Sequence, residues 1–295
     1  MNTTLTVPAY AKLNISIDIT GKLPDGYHAM RMIMQSASLC DDVTVTLLEN
    51  GGEFKCRTNL NYLPTDERNI AVQAAKLFLT ETGLLERYGA DITMHKRIPV
   101  CAGLGGGSSD AAAVLLAMNE LTGAACDTEK LLDMARQLGS DVPFCIEGGT
   151  ALATGRGDIL TQLPPLPDCH FVICKPEFSI STPKLFQRIN LTNQSRHPDT
   201  DGIISALETE DLGAVARRMY NVFEDVLPRR FAEIGVIKLK LLDYAAMGIA
   251  MSGTGSSVFG IFESEASARA AFEGLREEYR YTFLEKPIPY RSLAQ

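Results

Sequence analysis

The chain has 295 residues, more than one hydrophobic core usually supports, so two domains of ordinary size are predicted. Hydrophobic residues make up 45% of the chain and charged residues 22%, proportions that are typical of a compact globular protein and exclude a disordered or fibrous class. The formal net charge of −8 opposes approach to a polyphosphate backbone, so nucleic acid is not an expected partner.

Two features of the chain predict a cytoplasmic protein with no membrane partner. The first ten residues lack a basic segment followed by an apolar one, and the most continuous apolar run, residues 111–118, is too short to cross a bilayer. The seven cysteines form an odd set without CxxC pairs, which favours reduced thiols over disulfides or a zinc site.

The first half of the chain combines hairpin signals with helices. Alternating apolar and polar side chains predict a strand over residues 12–19, with Lys12 and Asn14 on its polar face. Shorter alternating runs predict further strands, and helical spacing predicts helices that could cover one face of a sheet. The predicted strands are 43–47 and 90–96, and the predicted helices are 70–79 behind an Asn69 cap, 111–121 and 128–138.

A proline-rich segment, residues 163–168, predicts the boundary between two domains, 1–163 and 164–295. After it, strands alternate with helices, which indicates an α+β second domain. The predicted strands are 171–174, 258–262 and 279–284, and the predicted helices are 212–227, 234–246 and 266–277.

The segment PVCAGLGGGSSD, residues 99–110, is the most informative stretch. Glycines let the backbone approach a ligand closely, and a following helix N-terminus adds N–H donors and partial positive charge, so the segment predicts a phosphate cradle. A Cβ branch at Gly106 is expected to block the phosphates. The segment is neither a Walker A loop nor a G-x-G-x-x-G motif, since no Lys-Ser/Thr follows and Ser108 stands at the last glycine position. The alternative is a flexible strand-to-helix connection.

A second glycine cluster, residues 251–257, precedes the predicted strand 258–262. By itself it is a weak signal for a second phosphate loop, and a hairpin turn would be the favoured explanation if the chain had no other phosphate loop. We refer to residues 99–109 as the first glycine loop and to residues 251–257 as the second glycine loop.

Four motifs together resemble the motif set of the GHMP kinases: PAYAKLN, PVCAGLGGGSSDAAA, GSDVPF and MSGTGSS. The N-terminal stretch AKLNISIDITGKLPDGYH is similar to that of the branch whose acceptor is a cytidine diphosphate-linked alcohol. The resemblance implies a two-domain α+β fold, with an N-terminal domain like ribosomal protein S5 domain 2 and a ferredoxin-like C-terminal domain. It also implies ATP and Mg²⁺ as cofactors and an active site in the cleft between the domains.

The resemblance assigns catalysis to Lys12 and Asp141. Asp141 is expected to act as the general base on the acceptor hydroxyl, while Lys12 supplies positive charge near the transferring oxygens. Lys12 and Asn14 lie on one strand face about 7 Å apart, a spacing that suits two groups lining one pocket. Two alternatives remain: Asp141 as the N-cap of a turn through Pro143, and Lys12 as a solvated strand residue.

The resemblance assigns cytosine recognition to Tyr27 and His28 and the ATP phosphates to residues 99–109, whereas Asn14, Phe186 and Asn69 are further candidates from the residues themselves. In the substrate site, Tyr27 and His28 are expected to recognise cytosine, Asn14 to line the pocket, and Phe186 to stack on the base. The alternative for Phe186 is an apolar anchor of a helix that starts near Pro183. The ATP-binding residues are expected to be Pro99, Val100, Cys101, Ala102, Gly103, Leu104, Gly105, Gly106, Gly107, Ser108 and Ser109, with Asn69 at the adenine.

Three functions are compatible with these residues. The first is the cytidyl-alcohol kinase, the second a GHMP kinase for another alcohol such as homoserine or mevalonate, and the third a catalytically silent ligand sensor of the same fold. A sensor does not need both Lys12 and Asp141, and a homoserine or mevalonate kinase does not need the DGYH turn together with Phe186. Oligomeric state and Mg²⁺ ligands are not predicted.

Overall fold

A computed structural model describes residues 3–191 and 196–291. Within these ranges the chain forms eleven strands, nine α-helices and two 3₁₀ helices. The strands are β1 (Thr4–Lys22), β2 (His28–Leu48), β3 (Phe54–Thr58), β4 (Gly89–His95), β5 (Thr150–Thr154), β6 (Ile159–Gln162), β7 (His170–Lys175), β8 (Tyr220–Asn221), β9 (Gly248–Met251), β10 (Val258–Phe262) and β11 (Tyr281–Glu285). The α-helices are α1 (Ile70–Glu81), α2 (Gly106–Thr122), α3 (Thr128–Leu138), α4 (Val142–Glu147), α5 (Thr182–Phe186), α6 (Thr200–Glu208), α7 (Leu212–Arg217), α8 (Glu233–Asp243) and α9 (Glu265–Arg276), and the 3₁₀ helices are Val222–Val226 and Arg229–Phe231.

The strands form two sheets. The first sheet has the order β3-β4-β2-β1-β8, with β5 paired to β2 and β6 paired to β5. Its centre is the long antiparallel pair β1 and β2, whose register shifts at three bulges, whereas β3 with β4 and β8 with β1 are parallel. The second sheet is antiparallel, with the order β11-β7-β10-β9. None of the helices in the described ranges is long and apolar enough to cross a membrane.

Both faces of β1 are covered. Leu13 and Ile15 pack in one apolar cluster with Ile173 and Phe259 of the second sheet. The alternating strand predicted at 12–19 is therefore confirmed as part of β1, but its polar face is buried rather than solvated. The side chains on that face are Lys12, Asn14, Ser16 and Asp18, and all four residues are buried.

The proline-rich segment 163–168 connects the two sheets, because β6 ends at Gln162 and β7 begins at His170. Two later segments return to the first sheet: β8 pairs with β1, and Pro287 and Tyr290 form bridges to Ala37 and Gly148. The division of the chain into domains 1–163 and 164–295 stays a prediction.

The predicted helix over residues 212–227 is wrong. Helix α7 ends at Arg217, and the chain continues as β8 and a 3₁₀ helix. The reason is the buried side chain of Asn221, which donates to the carbonyls of Met251 (2.7 Å) and Gly253 (2.8 Å) and accepts from the N–H of Phe223 (3.0 Å). Side-chain bonds of this kind compete with helical hydrogen bonding.

Candidate active site

The first glycine loop leads directly into α2. Gly105 is the N-cap with a φ of 72°, and the helix begins at Gly106, five residues earlier than the sequence predicted. The first turn of an α-helix offers N–H groups that are not used within the helix, together with the positive end of its dipole. Gly106, Gly107 and Ser108 thus lie where the sequence places a phosphate cradle.

A cavity of about 420 Å³, called the loop cavity, lies along this segment. It is lined by Leu63, Asn69 and Lys96, by Ile98 through Ser108, and by Asp110. All predicted ATP-binding residues line it except Ser109, whose hydroxyl instead donates to the carbonyl of Tyr10 (2.5 Å). Asn69 Oδ1 caps α1 by accepting from the N–H of Ala71 (3.0 Å), and its Nδ2 donates to the carbonyl of Pro64 (2.7 Å), so its contact with adenine stays a prediction.

Protein contacts require two of the glycines in this loop. A Cβ on Gly103 would lie 2.1 Å from the carbonyl oxygen of Ser252, and one on Gly105 would lie 2.8 Å from Cγ of Lys12. A Cβ on Gly106 would point to Ile98 Cγ2 (3.0 Å). A branch at Gly106 would thus meet Ile98 and Lys96, which themselves line the loop cavity, and the expectation that it blocks the phosphates stays a prediction.

The second glycine loop packs on the first. It connects β9 to β10 as a hairpin, as its alternative explanation proposed. It also contributes hydrogen bonds from the N–H of Ser257 to the carbonyl of Ala102 (3.1 Å) and from the hydroxyl of Ser252 to the carbonyl of Gly103 (2.9 Å). The second glycine loop is thus a hairpin turn that also holds the first glycine loop, and the two loops form one packed unit.

Lys12 and Asp141 form an ion pair, with Lys12 Nζ 3.5 Å from Asp141 Oδ2. The Lys12 side chain is 6% exposed and that of Asp141 32% exposed. Asp141 occupies the N-cap position of α4, but its side chain makes no capping hydrogen bond. Its carboxylate is therefore available to the cleft, and Lys12 is not a solvated strand residue.

Asn14 holds the Lys12 side chain in place. Its Oδ1 accepts from Lys12 Nζ (2.7 Å) and from the N–H of Gly253 (2.9 Å). One side chain thus joins the ammonium group to the second glycine loop. Asn14 contacts the cleft as predicted, but most of its hydrogen-bonding capacity is used inside the protein.

A second cavity of about 770 Å³, called the acceptor cleft, contains Lys12, Asn14 and Asp141. Its further lining includes Tyr27, His28, Arg156, Thr182, Phe186 and Thr254. Four residues of the first glycine loop line both the acceptor cleft and the loop cavity, namely Cys101, Gly103, Gly105 and Ser108. The two cavities therefore meet at the loop, beside the Lys12–Asp141 pair.

The residues predicted to bind cytosine lie together in the acceptor cleft. The ring of His28 lies 5.0 Å from that of Phe186, which also packs edge-on against Phe223 at 4.8 Å. Burial, and then the charge of Lys22, lower the pKa of His28 below 6.5, which favours the neutral imidazole. Phe186 thus anchors α5 and lines the cleft at once, so both of its predicted roles are compatible with the structure. Tyr27 is 58% exposed at the mouth.

Arg156 was not predicted from the sequence. Its guanidinium lies 4.4 Å above the ring of Tyr27 and forms an ion pair with Asp25 (2.6 Å). It thereby joins the DGYH turn to the turn between β5 and β6. The GRGD run at 155–158 gives no signal for this contact, because the partners are 131 residues apart.

Acidic metal ligands do not cluster in the described part of the chain. Across residues 3–191 and 196–291, no group of three or more His, Cys, Asp or Glu side chains is arranged to hold a metal ion.

Two family models match the chain. Residues 69–149 match the model described as GHMP kinases N terminal domain, and residues 203–280 match the model described as GHMP kinases C terminal. Together they cover more than half of the chain. The matched segments include the first glycine loop, Asp141 and the second glycine loop.

Similar proteins agree with the family models. The 4-diphosphocytidyl-2-C-methyl-D-erythritol kinase of Lachnoclostridium phytofermentans is 42% identical over 268 residues, covering 91% of each chain. A crystal structure of 4-(cytidine 5'-diphospho)-2C-methyl-D-erythritol kinase superposes with a TM-score of 0.81 at 32% identity, covering 96% of this chain and 99% of that one. Homoserine kinase from Cytophaga hutchinsonii superposes with a TM-score of 0.76 at 19% identity, covering 98% and 96%, a likeness of fold.

Proposed function

The chain belongs to the GHMP kinases, and on this premise we propose that it transfers the γ-phosphoryl group of ATP to the 2-hydroxyl group of 4-diphosphocytidyl-2-C-methyl-D-erythritol. The reaction is a step of the non-mevalonate isoprenoid pathway and is expected in the cytoplasm. The fold is the two-domain GHMP kinase fold, which the sequence predicted.

The observation that carries the proposal is the position of the Lys12–Asp141 pair. The pair, with 3.5 Å between its charged atoms, lies in the acceptor cleft beside the loop that this cleft shares with the loop cavity. A phosphate donor in one cavity and an alcohol in the other would meet at this point. Phosphoryl transfer depends mainly on such positioning and on electrostatic stabilisation.

The proposed reaction is a displacement at the γ-phosphorus of ATP. The 2-hydroxyl oxygen forms a bond to the γ-phosphorus, the bond from that phosphorus to the β,γ-bridging oxygen breaks, and ADP leaves. Asp141 accepts the hydroxyl proton, since its carboxylate is not used for helix capping. Lys12 stabilises negative charge on the transferring group and is held in place by Asn14.

ATP would bind as its Mg²⁺ complex, in which the metal would neutralise charge on the phosphates. The chain's own contribution is the row of N–H groups at the start of α2, which face the phosphates, and the hydroxyl of Ser108, which lines both cavities.

The acceptor is distinguished from smaller alcohols by the outer half of the acceptor cleft. His28 presents a neutral ring nitrogen or its backbone to the cytosine edge, and Phe186 offers a ring face. Tyr27 and Arg156 close the mouth. Homoserine and mevalonate have no group that requires this aromatic region, and a ligand sensor has no need of the Lys12–Asp141 pair.

The test is an ADP-release assay with purified protein, ATP, Mg²⁺ and four acceptors: the cytidyl compound, methylerythritol phosphate, homoserine and mevalonate. We expect efficient turnover of the cytidyl compound alone. Equal kcat/KM for one of the other three alcohols would refute the assignment.

Two variants test whether Asp141 acts as the general base. Asp141→Asn should lower kcat by about 100-fold or more while ATP affinity and folding are kept. The control is Asp168→Asn, which removes an exposed carboxylate outside both cavities and should leave kcat unchanged. Near-normal turnover by Asp141→Asn would exclude the role.

A further inference from the structure

A buried cluster of three charged side chains lies beneath the first glycine loop. Lys96 Nζ is 2.5 Å from Asp41 Oδ2 and 2.5 Å from Asp110 Oδ2. The side chains of Lys96, Asp41 and Asp110 are 4%, 0% and 6% exposed. We call these three residues the buried triad. It comes from three separate segments: β2, the residue that follows β4, and the first turns of α2.

The buried triad holds both ends of the loop. At the start, Asp41 Oδ1 accepts the N–H groups of Arg97 and Ile98, the latter at 2.8 Å. At the end, Lys96 Nζ contacts the carbonyl of Gly106 at 3.5 Å and binds Asp110 in α2. The backbone therefore leaves the triad at residue 98 and returns to it at residue 106.

Stability alone is a poor explanation for this cluster. Removing charges from water is costly, and well-packed apolar side chains often stabilise a core as well as a buried ion pair does. If all three groups are ionised, the triad carries one excess negative charge. In addition, Asp110 Oδ1 has no hydrogen-bond partner within the described residues, although its residue lines the loop cavity.

We propose that Lys96, Asp41 and Asp110 are positioning residues for ATP, which fix the span and orientation of residues 98–106 so that the N–H groups at the start of α2 face the phosphates. The inference rests on the proposed function, since it assumes that the loop cavity binds ATP. Lys96 is the central member, because it alone contacts both carboxylates.

Two substitutions at Asp110 distinguish the effect of its hydrogen bond with Lys96 from the effect of its negative charge. Asp110→Asn keeps an oxygen that accepts from Lys96, whereas Asp110→Ala removes that acceptor, and both remove the same charge. A hydrogen bond to a charged group changes an equilibrium constant by about tenfold or more. We therefore expect Asp110→Ala to raise the Kd of ATP about tenfold and Asp110→Asn to keep it within about twofold. Both variants should keep the Kd of the cytidyl compound, measured without ATP.

Calorimetric titration with ATP and Mg²⁺, together with urea unfolding, gives the readouts. The control is Asp91→Ala, which breaks the exposed pair with Arg57 on the same sheet and should not change ATP binding. Should Asp110→Ala fail to fold, Asp110→Val replaces it, because its larger apolar side chain fills the space of the carboxylate and still removes the acceptor for Lys96.

Two results would overturn the inference. If Asp110→Ala loses stability but binds ATP like the wild type, the triad has a structural role only. If Asp110→Asn loses as much ATP affinity as Asp110→Ala, the negative charge of Asp110, rather than its hydrogen bond with Lys96, determines ATP binding. Because ATP binding is measured without turnover, failure of the wild type to phosphorylate the cytidyl compound would count against the proposed function and leave this test intact.

Discussion

The substitution Gly103→Ala tests whether the two glycine loops form one packed unit. Gly103 has a φ of 77°, a conformation that costs an alanine roughly 1–2 kcal/mol. The added Cβ would lie 2.1 Å from the carbonyl oxygen of Ser252 and 3.2 Å from the nitrogen of Gly255. Both contacts are with backbone, so relief requires the loops to separate, and overpacking of this kind costs typically about 1–3 kcal/mol.

We expect Gly103→Ala to lower the free energy of unfolding by about 2–5 kcal/mol. We also expect it to weaken the binding of both ATP and the cytidyl compound, since Gly103 lines both cavities. Urea unfolding followed by circular dichroism measures the first effect, and calorimetry the second. Because a loss of this size is a large part of a total stability of about 5–15 kcal/mol, calorimetry is run only after the urea curve shows a folded baseline.

Gly107→Ala is the matched control, because it lies in the same loop, has no positive φ, and its Cβ would have Ile70 Cγ2 as nearest atom at 3.7 Å. Inside α2 this change should stabilise the protein by about 0.5–1 kcal/mol. If Gly103→Ala proves as stable as Gly107→Ala, the close contact between the loops does not exist in solution.

Three further predictions concern the acceptor cleft, the buried triad and the second glycine loop. Tyr27→Ala and Phe186→Leu should each raise the KM for the cytidyl compound about tenfold if the ring stacks, whereas Tyr62→Ala, at another exposed tyrosine, should not; unchanged KM values in steady-state kinetics would exclude stacking. Burial raises the pKa of Asp110 from 3.8 to about 7, so the folded state binds more protons between these values and the wild type loses stability as pH rises across them. Asp110→Asn lacks this titration, so its stability relative to the wild type should rise between pH 5 and 7.5 in urea unfolding, and a constant difference would contradict this pKa. Asn221→Ala should cost about 1–3 kcal/mol because it leaves two backbone carbonyls unpaired, and unchanged thermal unfolding would show that these hydrogen bonds are not formed.

Local signals explain which elements could be predicted. Helix α3 matches its prediction at both ends, because Asp127 caps it by accepting from the N–H of Lys130 and Gly139 follows its last turn. Strand β10 matches as well, since all five of its residues are buried and apolar or glycine. Periodicity and caps within about ten residues are enough in both cases.

Non-local contacts explain what could not be predicted. Asn221 ends a helical pattern by bonding to residues 30 and 32 positions later, which no local window contains. Lys96 and Asp41 are 55 residues apart, and each alone resembles a surface charge at a strand end. Lys12 and Asp141 could be predicted as site residues because each lies in a motif that resembles those of the family. Arg156 lies in no such motif and was therefore missed.

The glycines of the first glycine loop were predicted for one reason, and the structure shows a second reason for them. Their number suggests close approach to a ligand, yet Gly105 leaves room for the stem of Lys12, whose own N–H donates to the carbonyl of Leu104 at 2.9 Å. A Cβ on Gly253 would likewise lie 3.3 Å from Lys12 Nζ. Strand β1 and both glycine loops thus converge on one lysine. Since phosphoryl transfer requires donor and acceptor to be fixed within a fraction of an ångström, we expect a change in either loop to alter the catalytic role that we propose for Lys12 and Asp141.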